Sequence, residues 1–357
     1  MVGSRQVAVM SKNWSGRERV LSALAHQQPD RVPADLWAEP AVWAVLQRAL
    51  GRSSRNEVCA ALQVDVRYLE PLYPAEVECD GVRQNLWGER WREADTAMGR
   101  EWQHVEGALA GARSFGELER FPWPGCDQVD YSTLGAQVEA AGDCALFYGS
   151  ADFFERPALV RGIEQFLVDT VEHPDWVEFL QSKFLEFFIE DFHRAMEATA
   201  GRIDAFLALT DLGSQERILL SPEARGRYIH PPLRALAEAV HREGVRLLFH
   251  SCGAVREVIP ELIDCGVDIL NPLQPAARGM EPEGLKRDFG GELTFHGGID
   301  IQYLLPLEDP ETVRKEVRRR AGILGEGGGY ILAPSHNLQA DIPVENIAAM
   351  YDPGLRA

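Results

Sequence analysis

The sequence predicts an α/β fold: a single (β/α)8 TIM barrel with an N-terminal insertion. Three observations predict it. Short apolar runs of strand length recur from residue 145 onward, amphipathic stretches of helical period separate them, and two earlier runs bring the strand count to eight. A doubly wound open sheet is the alternative, but no Gly-x-Gly-x-x-Gly turn follows any of these runs, as a dinucleotide site would require.

Residues 1–14 read as a tail, and 15–357 as one barrel domain. Ser15 and Glu18 have capping-box spacing ahead of RVLSALAHQ, so a helix starts there. The segment 31–37 (RVPADLW) is the first expected strand, followed by a helical run beginning at Glu39. The alternating VDVRYLEPLY (64–73) is the second strand. Residues 75–143 are rich in polar and turn residues and carry Trp87, Trp91 and Trp102; they read as an insertion over one end of the barrel, built as a β-hairpin pair. The remaining strands are 145–150, 205–211, 246–252, 267–273, 293–298 and 330–336. Between them fall helices at about 174–200, from Ser221-Pro222-Glu223, from Val255 to Cys265 and from Pro310 to Leu324, with Gly244 and Gly266 as stop signals.

Length and composition narrow the function classes. The chain has 357 residues, 45% of them hydrophobic and 25% charged, enough for a sizeable core. A formal net charge of −19 disfavours nucleic acid and anionic membranes as partners. No run approaches the roughly 18–20 apolar residues of a membrane span, and the first residues lack a signal-peptide core, so a cytoplasmic location is expected. The six cysteines are irregularly spaced and read as reduced thiols.

In a barrel of this kind, polar residues that close an apolar strand stand at the catalytic mouth. Those residues are Asp35, Asp211, His250, Cys252, Asn271, Gln274, His296, Asp300, Ser335, His336 and Asn337. His250 and Cys252 form the sharpest pair, because residues i and i+2 on a strand project to one side, with Cα atoms about 7 Å apart. An imidazole and a thiolate so placed converge on one ion. His336 is the best-placed third ligand, with His296 second; two histidines and one thiolate leave the open position of a catalytic zinc site. The plainer reading makes His250 a hydrogen-bonded barrel residue, Cys252 a small buried hydrophobe and His336 a helix-entry cap. Asp191-Phe-His193 approaches a corrinoid-binding Asp-x-His-x-x-Gly sequence but lacks its glycine and lies in a helical run, so no cobalamin domain is expected within the chain.

The segments 210–223, 247–275, 293–305 and 327–347 resemble the uroporphyrinogen decarboxylase superfamily, and the likeness runs over almost the whole chain. That superfamily contains both true decarboxylases and zinc-dependent methyltransferases that work with corrinoid proteins. The decarboxylases carry an N-terminal Arg-Gln-Ala-Gly-Arg segment for a polyanionic tetrapyrrole; here Val32-Pro-Ala-Asp-Leu-Trp37 stands in its place. The methyltransferase branch carries His-x-Cys-Gly, matched by His250-Ser-Cys252-Gly253, and a downstream Pro-Gly-Cys, where this chain has Pro334-Ser-His336.

The resemblance therefore implies a zinc-dependent methyltransferase that moves a methyl group between a small methyl donor and a separate corrinoid (cobalamin) protein. One thiolate in place of two leaves the ion a stronger Lewis acid, which points to an oxygen-bound methyl group. In this reading His250, Cys252 and His336 hold Zn2+. Asp211 or Asp35 orients substrate or supplies a proton, and Asn271, Gln274, Asn337 and Asp300 bind substrate. A homodimer is the assembly kept in view. The alternatives are uroporphyrinogen decarboxylase, with Asp35 or Asp65 facing the pyrrole nitrogens, and a non-catalytic barrel that binds zinc or a small ligand.

Overall fold

The structure, a computed structural model, describes residues 14–96 and 99–356. Eleven strands occur among them: β1 (Val66–Leu69), β2 (Val77–Cys79), β3 (Val82–Gln84), β4 (Arg90–Thr96), β5 (Gly99–Glu106), β6 (Ala145–Ala151), β7 (Ala205–Leu209), β8 (Arg246–His250), β9 (Ile269–Leu273), β10 (Thr294–Ile299) and β11 (Tyr330–Pro334). Seven form one parallel sheet in the order β1-β6-β7-β8-β9-β10-β11, with every neighbour consecutive in space and helices between successive strands. The strands are apolar along nearly their whole length because both faces are covered, as parallel sheets require. Inside the curve Val66, Phe147, Leu207, Leu248, Ile269 and Ile331 form one core cluster. Val20 and Leu24 join it from the first helix, Gly16–Leu24, which opens with the expected capping box: Ser15 Oγ accepts from Glu18 N at 3.1 Å and Glu18 Oε2 accepts from Ser15 N at 2.9 Å.

The first expected strand differs from its prediction. Residues 31–37 make only a parallel bridge, Ala34 to Leu332, rather than a ladder. The backbone nonetheless bonds to both flanking strands: Asp35 N donates to Leu332 O (2.8 Å), Leu332 N to Pro33 O (2.9 Å) and Asp65 N to Ala34 O (2.8 Å). Pro33 has no N–H, which cuts the pairing short. The same stretch is held by the end of the chain, since Val32 N donates to Arg356 O and Tyr351 Oη to Asp35 O, each at 2.7 Å. The second expected strand is also shorter than read, stopping at Leu69 before Pro71.

The region 75–143 holds two hairpins, as expected, joined as one antiparallel sheet in the order β2-β3-β4-β5. Its second half is helical instead, with helices Phe115–Arg120 and Leu134–Ala141, the latter leading into β6. Trp87 stacks on Phe184 of the long helix Pro174–Ala198 at 4.2 Å between ring centres, and buried Glu89 accepts from Arg156 at 3.1 Å. Arg161, itself buried, donates to Leu109 O and Ala112 O and pairs with buried Asp169 at 2.7 Å. These contacts pin the small sheet over one side of the strand ends. None of the six cysteines is paired, and no helix among the described residues is long and apolar enough to cross a membrane.

Candidate metal centre

His250 closes β8, Cys252 follows two residues later and His336 follows two residues after β11. One ligand atom from each of these three side chains lies within 4.8 Å of the other two. Cys252 Sγ and His250 Nε2 are 3.5 Å apart. Atoms bound tetrahedrally to one zinc at about 2.0–2.3 Å stand roughly 3.3–3.8 Å apart. The Cys–His edge already fits, and the rest of the triangle closes with a side-chain adjustment of about 1 Å. A nitrogen–nitrogen–sulfur set with an open fourth side suits zinc, so the residues fit the metal.

The loop behind the cluster is tightly made. Gly253 has φ +87°, and a Cβ there would stand 2.4 Å from Ser214 O. Its amide donates to Gln274 Oε1 at 2.8 Å, while Gln274 Nε2 donates to Ser335 O at 3.3 Å. Gln274, expected to contact substrate, thus ties the β8 loop to the β11 loop and so joins the two loops that carry the cluster. Asp211 accepts from Cys252 N at 2.8 Å, and its carboxylate stands 3.9 Å from His250 Nε2. Burial, then the charges of Asp211 and Glu155, push the Cys252 thiol up to about 12. Burial also lowers His250, against its hydrogen bond to the Asn271 carbonyl oxygen, which raises it. At neutral pH the metal-free site therefore holds a neutral imidazole and a protonated thiol.

Asn271, His296 and Asp35 lie behind His250. Asn271 bridges the two imidazoles, with Oδ1 2.5 Å from His250 Nδ1 and Nδ2 2.5 Å from His296 Nδ1. His296 Nε2 is 2.9 Å from Asp35 Oδ2. His296, the second-choice ligand, is thus one residue removed from the cluster and engaged at both nitrogens. Asp35 is buried and accepts in addition from Leu36 N, Trp37 Nε1 and Tyr68 Oη. Asp300 Oδ1 accepts from the amides of Gln302, Tyr303 and Leu304, so this oxygen serves a turn rather than a ligand. Asn337 donates to Glu39 at 3.2 Å and lines a cavity.

That cavity, of about 540 Å³, is lined by Asp35, Trp37, Tyr68, Ser150, Leu207 and Asn337 among others, a size suited to a small ligand. Trp37 connects it to the metal cluster, because its indole also stacks on His250.

Two acidic residues escaped the sequence reading. Glu155 accepts from Asp211 N at 2.8 Å, and burial raises its carboxyl. Asp152 caps the turn before it and is raised to about 7 by burial and then by Glu155. They lie beyond the end of β6, where Gly149 and Ser150 read as the close of the strand; the continuation Ala151-Asp152 was the available signal.

With this geometry in place, the comparisons with known proteins agree with the fold. The profile of the uroporphyrinogen decarboxylase (URO-D) family matches residues 158–353, more than half of the chain. The chain belongs to the uroporphyrinogen decarboxylase family. A curated relative, the methylcobamide:CoM methyltransferase MtaA of Methanosarcina barkeri (strain Fusaro / DSM 804), is 27% identical over 132 residues. That match spans 37% of this chain and 36% of the relative, little over a third of its length. A second methylcobamide:CoM methyltransferase MtaA from Methanosarcina barkeri matches to the same extent. Among solved structures, a methyltransferase from Methanosarcina mazei superposes with a TM-score of 0.69 at 17% identity, covering 94% of this chain and 97% of that one.

Proposed function

We propose that this protein is a zinc-dependent methyltransferase that moves a methyl group between a small methyl donor and a corrinoid carried by a separate protein. The observation that carries the reading is the convergence of His250, Cys252 and His336 at the ends of two sheet strands, beside a ligand-sized cavity. The likeness to methylcobamide:CoM methyltransferases supports the reaction class and the corrinoid partner. The backbone bonds of residues 33–35 to both flanking strands support a barrel whose eighth stave is this segment.

Zinc held by His250 Nε2, Cys252 Sγ and His336 would supply Lewis acidity, polarising the heteroatom that carries or receives the methyl group. Two neutral imidazoles and one thiolate favour an oxygen-bound methyl group over a thiol acceptor. Trp37 and the cavity behind it hold the substrate against the cluster, and Asn337 offers it a polar contact. Asp211 stands beside the ligands and is the residue placed to hold or deliver a proton at the substrate heteroatom, with Glu155 fixing its backbone.

The decarboxylase alternative needs a carboxylate free to face pyrrole nitrogens. Asp35 already meets four donors, and Asp65 is held by Arg19, Arg31 and the amide of Ala34, so neither favours it.

The test combines metal content with turnover. Zinc is measured in wild type, Cys252→Ala and His336→Ala purified identically, and methyl transfer to or from free cobalamin is followed by its visible spectrum. About one zinc per chain, lost in both variants, together with demethylation of a methoxy compound by wild type only, is expected. A wild type that takes up no zinc when it is supplied overturns the reading. Full zinc occupancy with no transfer to or from cobalamin overturns the enzyme and leaves a zinc-binding barrel.

A further inference from the structure

We propose that Asp35, His296 and Asn271 form a hydrogen-bond chain of fixed direction that holds His250 in its Nδ1–H tautomer and so turns its Nε2 lone pair toward the metal position. The inference rests on the reading of His250 as a zinc ligand. It assigns positioning roles to three residues, none of which touches the metal position.

The direction follows from what each group can donate. The Asp35 carboxylate only accepts, and it already receives Leu36 N at 2.7 Å, Tyr68 Oη at 2.6 Å and Trp37 Nε1 at 3.0 Å. Its contact with His296 Nε2 at 2.9 Å therefore requires the proton to be on that nitrogen. In a neutral imidazole the other nitrogen is then an acceptor, so Asn271 presents its amide NH2 to His296 Nδ1. That choice fixes the Asn271 carbonyl toward His250, whose Nδ1 must supply the hydrogen. The lone pair of His250 is left on Nε2, 3.5 Å from Cys252 Sγ. With the opposite tautomer, two lone pairs would face each other between His250 and Asn271.

The environment keeps the chain from reversing. Asp35, Asn271 and His296 are buried, so water does not supply substitute partners. Cys252 Sγ, at 3.5 Å, is a protonated thiol that donates toward the Nε2 lone pair, and the carboxylate that would draw a proton to that nitrogen, Asp211, stands at 3.9 Å, outside hydrogen-bond range. Holding a ligating histidine through its second nitrogen is worth roughly 10–100-fold in metal affinity where it has been removed. Asp35, 261 residues away from His296 along the chain, thus acts on His250 through two intermediaries, His296 and Asn271.

The experiment reads tautomers directly in the metal-free, full-length protein labelled with 15N-histidine, by long-range 1H–15N correlation. His250 signals are assigned by their loss in His250→Gln. Zinc affinity is measured alongside by competition with a chromophoric chelator. Wild type should show His250 as Nδ1–H. Asp35→Asn introduces a donor opposite His296 Nε2 and lets the chain reverse; it should move His250 toward Nε2–H and weaken zinc at least about tenfold. Asn271→Asp keeps the acceptor facing His250 and should preserve both the tautomer and the affinity, whereas Asn271→Leu should lose both. Should Asp35→Asn fail to fold, the two Asn271 variants decide alone. An Nε2–H tautomer in wild type overturns the inference, as does Asn271→Leu matching wild type in tautomer and zinc affinity. A wild type without zinc affinity overturns the proposed function instead, while the tautomer measurement still decides the chain.

Discussion

The indole of Trp37 lies nearly parallel to the imidazole of His250, with ring centres 5.6 Å apart and 15° between the planes. Because Trp37 also lines the cavity, one side chain borders both that cavity and a member of the candidate metal cluster. Stacking of this kind contributes about 0.5–1.5 kcal/mol. Trp37→Ala is expected to weaken zinc by no more than about tenfold while raising the KM for the methyl donor by a larger factor. Trp37→Phe should restore most of the zinc affinity. Chelator competition and steady-state kinetics on the same preparations check the split.

Zinc binding should release a proton from Cys252. Its thiol, pushed up to about 12, is protonated throughout the neutral range, and a coordinated thiolate is not. His250, lowered by burial, is already neutral there and contributes no competing proton. Between pH 7 and 9 the apparent zinc Kd is expected to fall about tenfold per pH unit. Cys252→Ala should remove this dependence along with most of the affinity.

The Asp211 carboxylate contributes to raising Cys252, after burial. Removing its charge while keeping an oxygen for the Cys252 amide should lower the thiol. Metal-free Asp211→Asn is therefore expected to be alkylated by iodoacetamide faster than wild type at pH 8, with the pH–rate curve displaced to lower pH. An unchanged curve would mean that burial and Glu155 set the thiol without Asp211.

Gly253→Ala places a Cβ against Ser214 O at a positive φ. The strained backbone costs of order 1–3 kcal/mol, and the cost falls on the loop that carries Cys252. Zinc affinity should drop more than global stability, as read by chelator competition against urea unfolding.

The buried pair Arg161–Asp169 offers the opposite dissociation. Asp169→Ala leaves a guanidinium uncompensated and is expected to cost about 3–5 kcal/mol of stability, since Arg161 also fastens the end of the small sheet through Leu109 O and Ala112 O. Zinc affinity of the folded fraction should stay near wild type.

The parallel strands from 145 onward were legible because each is an uninterrupted apolar run between helical stretches, and a strand covered on both faces has that signature. The three residues that converge, His250, Cys252 and His336, were legible for the same reason, as polar residues following such runs. The first stave was misjudged because RVPADLW has strand composition while Pro33 removes a donor; composition does not reveal how long a ladder lasts. Helix Leu134–Ala141 was hidden by its shortness and by the polar residues around it. Beyond that continuation of β6, Glu155 was hidden because it opens the helix Glu155–Arg161 and its place beside Asp211 depends on a residue 56 positions further along the chain. The Asn271 bridge was legible only as a polar strand end; that it spans two histidines follows from the register of β8 and β9, where His250 pairs with Asn271.

Asp35 takes its backbone partners from Leu332 and Tyr351, and Val32 takes its own from Arg356. Translation that has passed Cys252 but not yet reached Leu332 has delivered two members of the candidate cluster, while residues 32–35 still lack the partners that fix them. The candidate cluster therefore closes only once residues 332–356 have been made. Contacts closed over so long a separation form slowly, and until they form His250 and Cys252 stand without His336.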